Sequence, residues 1–267
     1  MSGFTLKLLA LFLMIVDHCG LVLFAGTSLY LPCRILGRIA FPLYAFLITE
    51  GYVHTRSVKK YAGRLLVFAV LSEVPFDYAF FGTPFYMGYQ NVFFTLVLGL
   101  GALACIDGAR GRSGRIKASE TAAGNTGKSE LPAGASTPLV GAEVSAETPE
   151  LSAGELWEQT MRKSNISKIL LIVIMVIAEL TYTDYGAFGV LVIVLFYLFR
   201  NQKVKCMVSV AAALIIYGFL GGFYIEGFGA IALIFILLYN GEKGQYPFPS
   251  LLFYAAYPLH LLILGLM

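Results

Sequence analysis

Long apolar segments separated by short polar connections dominate the chain. A membrane-spanning helix needs about 17 to 25 mostly apolar residues, and fewer where the helix is broken. By this measure the sequence predicts about nine spans, with eight or ten as alternatives, and an all-α, polytopic integral membrane helix bundle. The first apolar stretch is too long for the core of a cleavable signal peptide, so we expect a true first span. The predicted spans cover residues 4–25, 34–53, 62–81, 90–107, 166–182, 185–200, 204–223, 227–239 and 250–266.

The pattern changes between residues 108 and 161. Ala, Gly, Ser, Thr, Glu and Pro replace the large apolar residues there, and no aromatic residue occurs before Trp157. Such a segment buries too little apolar surface to offset the entropy lost on ordering. We therefore expect a disordered cytoplasmic linker at 108–161. It would separate four N-terminal spans at 1–107 from five C-terminal spans at 162–267.

The composition favours lipid as the solvent of this chain. Hydrophobic residues make up 58% of the sequence and charged residues only 13%, whereas soluble domains carry about 25% charged residues. The net charge of +3 is too small to indicate a nucleic-acid partner. The four cysteines have neither metal-binding nor redox spacing. We expect free thiols, although Cys19 and Cys33 could fall on one face of the membrane and pair.

The distribution of Lys and Arg predicts the orientation of the bundle, because cytoplasmic loops are enriched in these residues. They lie between spans two and three, on both sides of the linker, and between spans six and seven. The loops at 82–89, 183–186 and 223–226 contain none. We therefore expect a multi-pass protein of the inner or plasma membrane, with a cytoplasmic N-terminus and an external C-terminus. Arg34 and Arg38, at the start of span two, are exceptions on the outer side.

Ionisable residues also occur inside the predicted spans and at their ends. A charged side chain at the centre of a bilayer costs about 2.5–3.5 kcal/mol on insertion scales, so such residues usually face the bundle interior and serve a function. With the predicted topology, most of them lie in the outer half of the membrane, where they could converge on one cavity. These polar residues are Asp17, His18, Arg34, Arg38, Glu73, Asp77, Asn91, Glu179, Asp184, Glu226 and His260.

His18 is the most informative of these residues. Asp17 cannot form a dyad with it, since neighbours on a helix point about 100° apart, and His18 needs a partner from another helix. Lys7 precedes His18 by eleven residues, which places it close to the same helix face and about 16 Å nearer the cytoplasm. A face with a cation near the inner end and an imidazole deep in the membrane suits a cofactor that enters from the cytoplasm.

Several blocks of the sequence resemble the TraX family, and together they cover nearly all of the chain outside the linker. These blocks are Gly3-Phe-Thr-Leu-Lys7, Val16-Asp-His18, Gly37-Arg-Ile-Ala-Phe-Pro42, Phe46-Leu-Ile-Thr-Glu-Gly51, His54-Thr-Arg-Ser-Val-Lys-Lys-Tyr61, Leu71-Ser-Glu-Val-Pro-Phe-Asp77, Gln90-Asn-Val-Phe-Phe-Thr-Leu96, Asp184-Tyr-Gly-Ala-Phe-Gly189 and Tyr257-Pro-Leu-His260.

The family takes its name from a conjugation protein that acetylates the amino terminus of F-pilin. It is similar to the wider group of transmembrane acyltransferases, which use a cytoplasmic acyl-CoA and modify an acceptor across the membrane. In that group a basic residue, usually Arg, precedes a first-span histidine by eleven residues. Lys7 and His18 match this spacing, with Lys in place of Arg. The resemblance therefore implies an acetyl-CoA-dependent acyltransferase, with pilin as one conceivable acceptor.

The candidate residues fall into three groups, and each has an alternative role. His18 would take a proton from an amine or hydroxyl acceptor, with a carboxylate such as Asp17 orienting it, or would be a structural histidine bonded between helices. Arg34 and Arg38 would stabilise a developing oxyanion or hold an anionic acceptor, or would pair with Glu73 and Asp77. A group of basic residues would bind the phosphates of coenzyme A, although the enrichment of Lys and Arg on the cytoplasmic side also explains them. This group comprises Lys7, Arg56, Lys59, Lys60 and Arg64.

The remaining polar residues form a substrate-binding or structural cluster in this interpretation. Two carboxylates and two imidazoles suit a divalent ion, but no span carries a paired-ligand signature, so we expect no metal. The cluster comprises Glu50, His54, Glu73, Asp77, Asn91, Asp184 and His260.

Two other functions remain open. Intramembrane Asp, Glu and His residues also build proton relays in transporters, although the chain shows no internal repeat of the kind many transporters have. A non-catalytic assembly factor for conjugation or surface structures would not require His18. The expected partners are membrane lipid, acyl-CoA and a peptide or glycan acceptor of unknown identity.

Overall fold

The computed structural model describes residues 1–110, 153–220, 224–245, 247 and 251–267. Within these residues the protein contains ten α-helices, one 3-10 helix and no strand. The helices are α1 (Gly3–Val22), α2 (Tyr30–Gly37), α3 (Ala40–His54), α4 (Val58–Phe81), α5 (Val92–Arg110), α6 (Ala153–Leu180), α7 (Gly186–Leu198), α8 (Lys203–Leu220), the 3-10 helix Tyr224–Ile231, α9 (Ala232–Leu237) and α10 (Leu251–Gly265).

Local sequence explains where several helices begin and end. The Ser2 hydroxyl accepts a hydrogen bond from the Thr5 amide at 3.3 Å and caps α1. Ser57 caps α4 in the same way, through the Lys60 amide at 3.3 Å. Both follow the preference for serine as the residue that precedes the first turn. Gly82 ends α4 with a φ of 67°, a left-handed conformation that glycine adopts without strain.

All nine predicted spans coincide with helical segments, but two of them are broken. The second span is divided between α2 and α3, and the eighth joins the 3-10 helix to α9. Three segments of the described chain are long and apolar enough to cross a membrane, namely Gly3–Val22, Tyr30–His54 and Lys203–Leu220. Shorter apolar helices at Val92–Gly108, Gly186–Leu198, Tyr224–Leu237 and Leu251–Gly265 add to them, so the chain has the character of a membrane protein.

The chain divides into two compact units. The first comprises residues 1–104 and 170–267, and the second comprises residues 105–169. In the second unit the Ser167 hydroxyl donates a hydrogen bond to the Cys105 carbonyl at 2.7 Å. Helices α5 and α6 extend into both ends of the predicted linker, and the rest of that prediction, at 111–152, lies outside the described residues.

The first unit contains the candidate site. Helix α1 lies against α2, α3 and α10, while α10 also packs on α4. Two glycines allow α1 and α2 to approach closely. A Cβ at Gly20 would come within 2.6 Å of the Cys33 Cβ, and a Cβ at Gly37 would overlap the Asp17 side chain. Small residues commonly permit such contact between membrane helices. All four cysteines are free thiols, as the sequence predicted.

Candidate active site

His18 contacts His260 of the last helix, α10. Its Nδ1 lies 2.6 Å from Nε2 of His260, and the two rings stack with centroids 4.9 Å apart and an interplanar angle of 11°. The other nitrogen of His260, Nδ1, lies 2.8 Å from the Ala256 carbonyl oxygen one turn earlier in α10. The prediction that His18 needs a partner from another helix is confirmed, but the partner is an imidazole and not a carboxylate.

Aromatic rings enclose this histidine pair. The Phe80 ring contacts the His18 ring edge to face at 5.1 Å. Tyr257 contacts both imidazoles, with centroids 5.9 Å from His18 and 5.6 Å from His260. The pair therefore sits among rings of α4 and α10 that hold its orientation and restrict access of water.

Asp17 belongs to a separate charged cluster. Its Oδ2 accepts from Nη1 of Arg34 at 2.5 Å and from Nη2 of Arg38 at 2.6 Å. Arg38 also donates through Nη1 to Oε1 of Glu226 at 2.7 Å. The four side chains are only 9% to 16% exposed. We call Asp17, Arg34, Arg38 and Glu226 the arginine cluster; it joins α1, α2 and the 3-10 helix with two charges of each sign.

Two expectations are therefore wrong. Asp17 does not orient His18, because its carboxylate is occupied by both arginines on a different face of α1. Arg34 and Arg38 do not pair with Glu73 and Asp77.

The two carboxylates of α4 have uncharged partners. Asn91 donates from its amide to the Glu73 carboxylate and, at 2.8 Å, to the Ala69 carbonyl. Asp77 accepts from the Tyr86 amide at 2.7 Å. Among the described residues, no three His, Cys, Asp or Glu side chains come together as a ligand set for a metal ion. The predicted polar residues thus form several small hydrogen-bonded networks.

Asp184 lies between α6 and α7, at the edge of the arginine cluster. The Tyr89 hydroxyl donates to its Oδ1 at 2.7 Å, and the Thr95 hydroxyl donates to its backbone carbonyl. Burial raises the pKa of Asp184 to about 6, against the opposing effects of the Tyr89 hydrogen bond and the Arg38 charge. The neighbouring Tyr185 has a φ of 65° and stacks on Phe41 with centroids 3.8 Å apart.

A cavity of about 440 Å³ opens in the first unit. Its wall follows α1 from Gly3 and Lys7 to Met14, two turns further along the same helix face. Glu50 and His54 of α3 line it, as does Arg64 of α4. Seven aromatic side chains form much of the remaining wall: Tyr44, Tyr61, Phe93, Tyr239, Phe253, Tyr254 and Tyr257.

The cavity brings together part of the predicted cofactor group. Lys7 and Arg64 line it, while Arg56, Lys59 and Lys60 are exposed outside its lining. Lys243 also lines it and did not figure in the sequence-based prediction. Tyr257 was not among the predicted site residues, yet its ring lines the cavity and contacts both histidines. Its position three residues before His260, hence on the same face of α10, was the signal that could have identified it.

The apolar helices, with ionisable side chains buried between them, define a helical protein of the membrane type. A family model described as TraX protein matches residues 2–119 and 151–267. The chain belongs to the TraX family.

One curated relative is the probable fimbrial assembly protein FimC, serogroup H1, of Dichelobacter nodosus. It is 37% identical over 110 residues, a match that covers 38% of this chain and 45% of that protein. The chain thus matches less than half the length of this relative. No solved structure is significantly similar to the chain.

Proposed function

We propose that the protein is an integral membrane acyltransferase that transfers an acetyl group from acetyl-CoA to an amine or hydroxyl acceptor. This proposal rests on the position of the cavity along α1. It follows α1 from Lys7 to Met14 and is lined by Tyr257, whose ring contacts His18. His18 lies one turn beyond Met14 on the same helix face. A chain of contacts therefore leads from a basic cavity lining to an imidazole that can act as a base.

The cavity residues fit the acyl donor chemically. Its volume of about 440 Å³ falls within the range of about 300–1,000 Å³ typical of small-molecule sites. Lys7, Arg64 and Lys243 bring positive charge to the lining, which suits the phosphates of coenzyme A. The aromatic wall suits the thin, largely apolar arm that carries the thioester.

His18 would perform the proton transfer. It takes a proton from the acceptor nitrogen or oxygen while that atom forms a bond to the acetyl carbon. The carbon–sulfur bond breaks, and His18 returns the proton to the departing sulfur. General base catalysis of this kind contributes about 10²–10⁴-fold to a rate.

Arg34 is the better candidate of the two arginines for the acceptor side. Arg38 has both ends of its guanidinium engaged, by Asp17 and by Glu226. The Nε of each arginine is buried without a hydrogen-bond partner, but Arg34 donates to only one carboxylate, through Nη1 to Asp17. Its remaining edge would meet a developing oxyanion or an anionic group of the acceptor.

The proposed location is the inner or plasma membrane, with the N-terminus and the linker cytoplasmic and the C-terminus external. The basic residues at the junction of α3 with α4 and at the junction of α7 with α8 support this orientation. In a variant without native cysteines, Ser28→Cys should then label only from outside and Lys59→Cys only from the cytoplasm. Labelling of both positions from the same side would overturn the orientation.

The acceptor is proposed from the family and the curated relative. The relative is described as a probable fimbrial assembly protein. For this chain we propose a pilin-like acceptor, whose N-terminal amine would take the acetyl group. The same relative favours a second candidate, a non-catalytic factor in fimbrial assembly. The acyltransferase would require His18, whereas the non-catalytic assembly factor would not.

Transfer of label from radioactive acetyl-CoA to a peptide amine distinguishes them. Detergent-purified wild type should transfer the label, and His18→Ala should be slower by about 10²–10⁴-fold. Cys19→Ala, one residue further along the same helix, is the matched control and should retain activity. If wild type and control transfer no label, the acyltransferase proposal is wrong. If His18→Ala transfers label as fast as wild type, the role given to His18 is wrong.

A further inference from the structure

We propose that His260 is a positioning residue that determines which ring nitrogen of His18 carries the proton, so that Nε2 of His18 is the basic atom. The inference deepens the proposed function and rests on it for the catalytic consequence. The hydrogen-bond geometry that supports it is independent of the reaction.

The assignment begins at the backbone of α10. The Ala256 carbonyl oxygen can only accept hydrogen bonds, and it has a second lone pair besides the one used by the helix. Nδ1 of His260 lies 2.8 Å from this oxygen, so Nδ1 carries the proton. A neutral imidazole with its proton on Nδ1 has a lone pair on Nε2.

The hydrogen bond between the two histidines crosses the interface of α1 and α10. Nε2 of His260 accepts, so Nδ1 of His18, at 2.6 Å, must donate. The lone pair of a neutral His18 is therefore on Nε2. A fixed carbonyl thus sets the tautomer of one imidazole, and that imidazole sets the tautomer of the next.

This arrangement replaces the carboxylate that orients histidine in many hydrolases. Asp17, the carboxylate next to His18 in sequence, is held by Arg34 and Arg38. The His260 acceptor carries no charge, so it fixes the ring without adding a buried anion. The rings of Phe80 and Tyr257 restrict the rotation of His18 that would exchange its two nitrogens.

The proton balance is simple. When Nε2 of His18 takes the acceptor proton, His18 becomes an imidazolium whose Nδ1–H still donates to His260. When the thioester bond has broken, the same Nε2 gives its proton to the departing sulfur. His260 stays neutral, holds no proton of the reaction and touches no reacting atom.

The tautomers can be read directly, because the chain contains three histidines. Wild-type protein labelled with ¹⁵N in its histidine side chains gives a nitrogen spectrum of three imidazoles, and His54→Ala removes the signals of the third. We expect His18 and His260 both to carry their protons on Nδ1 at a pH where both are neutral. A His18 protonated on Nε2 would overturn the inference, whatever the activity of the protein.

Two substitutions at His260 test the catalytic consequence. His260→Gln keeps an oxygen that can accept from Nδ1 of His18 and an amide that can donate to Ala256. His260→Phe keeps a ring but no acceptor. We expect His260→Phe to lower kcat about a hundredfold or more with an unchanged KM for acetyl-CoA, because His260 does not line the cavity.

The kcat of His260→Gln should be at least tenfold higher than that of His260→Phe. A purely structural role for the ring would not explain this difference. Equal kcat values for the two variants, or a loss expressed only in KM, would contradict the inference. If the wild type transfers no acetyl group, the proposed function fails while the tautomers in the nitrogen spectrum still decide the hydrogen-bond assignment.

Discussion

Two neighbouring residues of α1 belong to two regions with opposite character. Asp17 joins the arginine cluster, in which charges of both signs meet at 2.5–2.7 Å. His18 joins His260 among aromatic rings, in a bond that needs no net charge. Because consecutive helix positions point about 100° apart, one peptide bond separates the two regions.

Helix α1 thus carries a residue for stability, Asp17, next to a residue for the proposed chemistry, His18. Removing one partner of a buried ion pair leaves an uncompensated charge, so the arginine cluster should be sensitive to any loss. The histidine pair can lose its bond with less damage to the fold, since the remaining imidazole is neutral. We therefore expect the loss of Asp17 to act on folding and substitutions in the histidine pair to act on catalysis.

Asp17→Asn tests the first half of this comparison and has the largest expected effect on stability. It leaves Arg34 and Arg38 without their shared carboxylate, and breaking a buried pair costs about 3–5 kcal/mol. The free energy of unfolding in mixed micelles measures the loss, with His260→Gln as the matched change in the other region. If the two variants are equally stable, the proposed division of roles is wrong.

Gly37→Ala tests whether close packing holds the arginine cluster in place. A Cβ there would overlap Asp17, and overpacking typically costs about 1–3 kcal/mol. Gly63→Ala in α4 is the control, because a Cβ there meets nothing within 4 Å. Removing a glycine from a helix interior should stabilise the protein by about 0.5–1 kcal/mol. The free energy of unfolding in mixed micelles measures both effects. If Gly37→Ala and Gly63→Ala change it in the same direction, the packing argument is wrong.

Asp184 has the smallest expected effect, at the edge of the arginine cluster. Its pKa of about 6 in the folded protein exceeds the usual value of about 3.9 for aspartate in an unfolded chain. The folded state therefore binds the proton more tightly, so this contribution to stability is present below about pH 4 and is lost as the pH rises through about 6.

The variant Asp184→Asn keeps an acceptor for the Tyr89 hydroxyl and cannot titrate. Between pH 4.5 and 7, the melting temperature of the wild type should fall by about a few degrees relative to this variant. Thermal unfolding in detergent at each pH measures the difference. Parallel curves for the two proteins would show that Asp184 does not titrate in this range.

The helices and the orientation of His18 were predictable from the sequence. Apolar length identified each helical segment, and the angle between helix neighbours was enough to place Asp17 and His18 on different faces of α1. The breaks in the second and eighth spans were not predictable. Gly37 and Arg38 lie at the first break and Gly227 and Gly229 in the 3-10 helix, but glycine and arginine also occur inside continuous helices such as α4. The position of a break depends on tertiary contacts.

The partners of the charged residues were not predictable either. Glu226 lies 188 residues after Arg38 in the chain, and its apolar surroundings do not reveal which other helix it meets. Glu73 and Asp77 were attractive alternatives because they are four residues apart on one helix. Hydrophobicity around the whole circumference of most spans leaves little signal for which face is turned inward.

The 3-10 helix that carries Glu226 also changes how far its segment reaches. A 3-10 helix rises about 2.0 Å per residue, against about 1.5 Å for an α-helix. The eight residues Tyr224–Ile231 therefore extend over about 16 Å, where an α-helix of the same length would cover about 12 Å. Together with α9, a segment of fourteen residues gains about 4 Å toward the roughly 30 Å of a bilayer core. The 3-10 conformation that positions the Glu226 carboxylate for Arg38 thus also lengthens this short segment, so that its length comes closer to the thickness of the membrane.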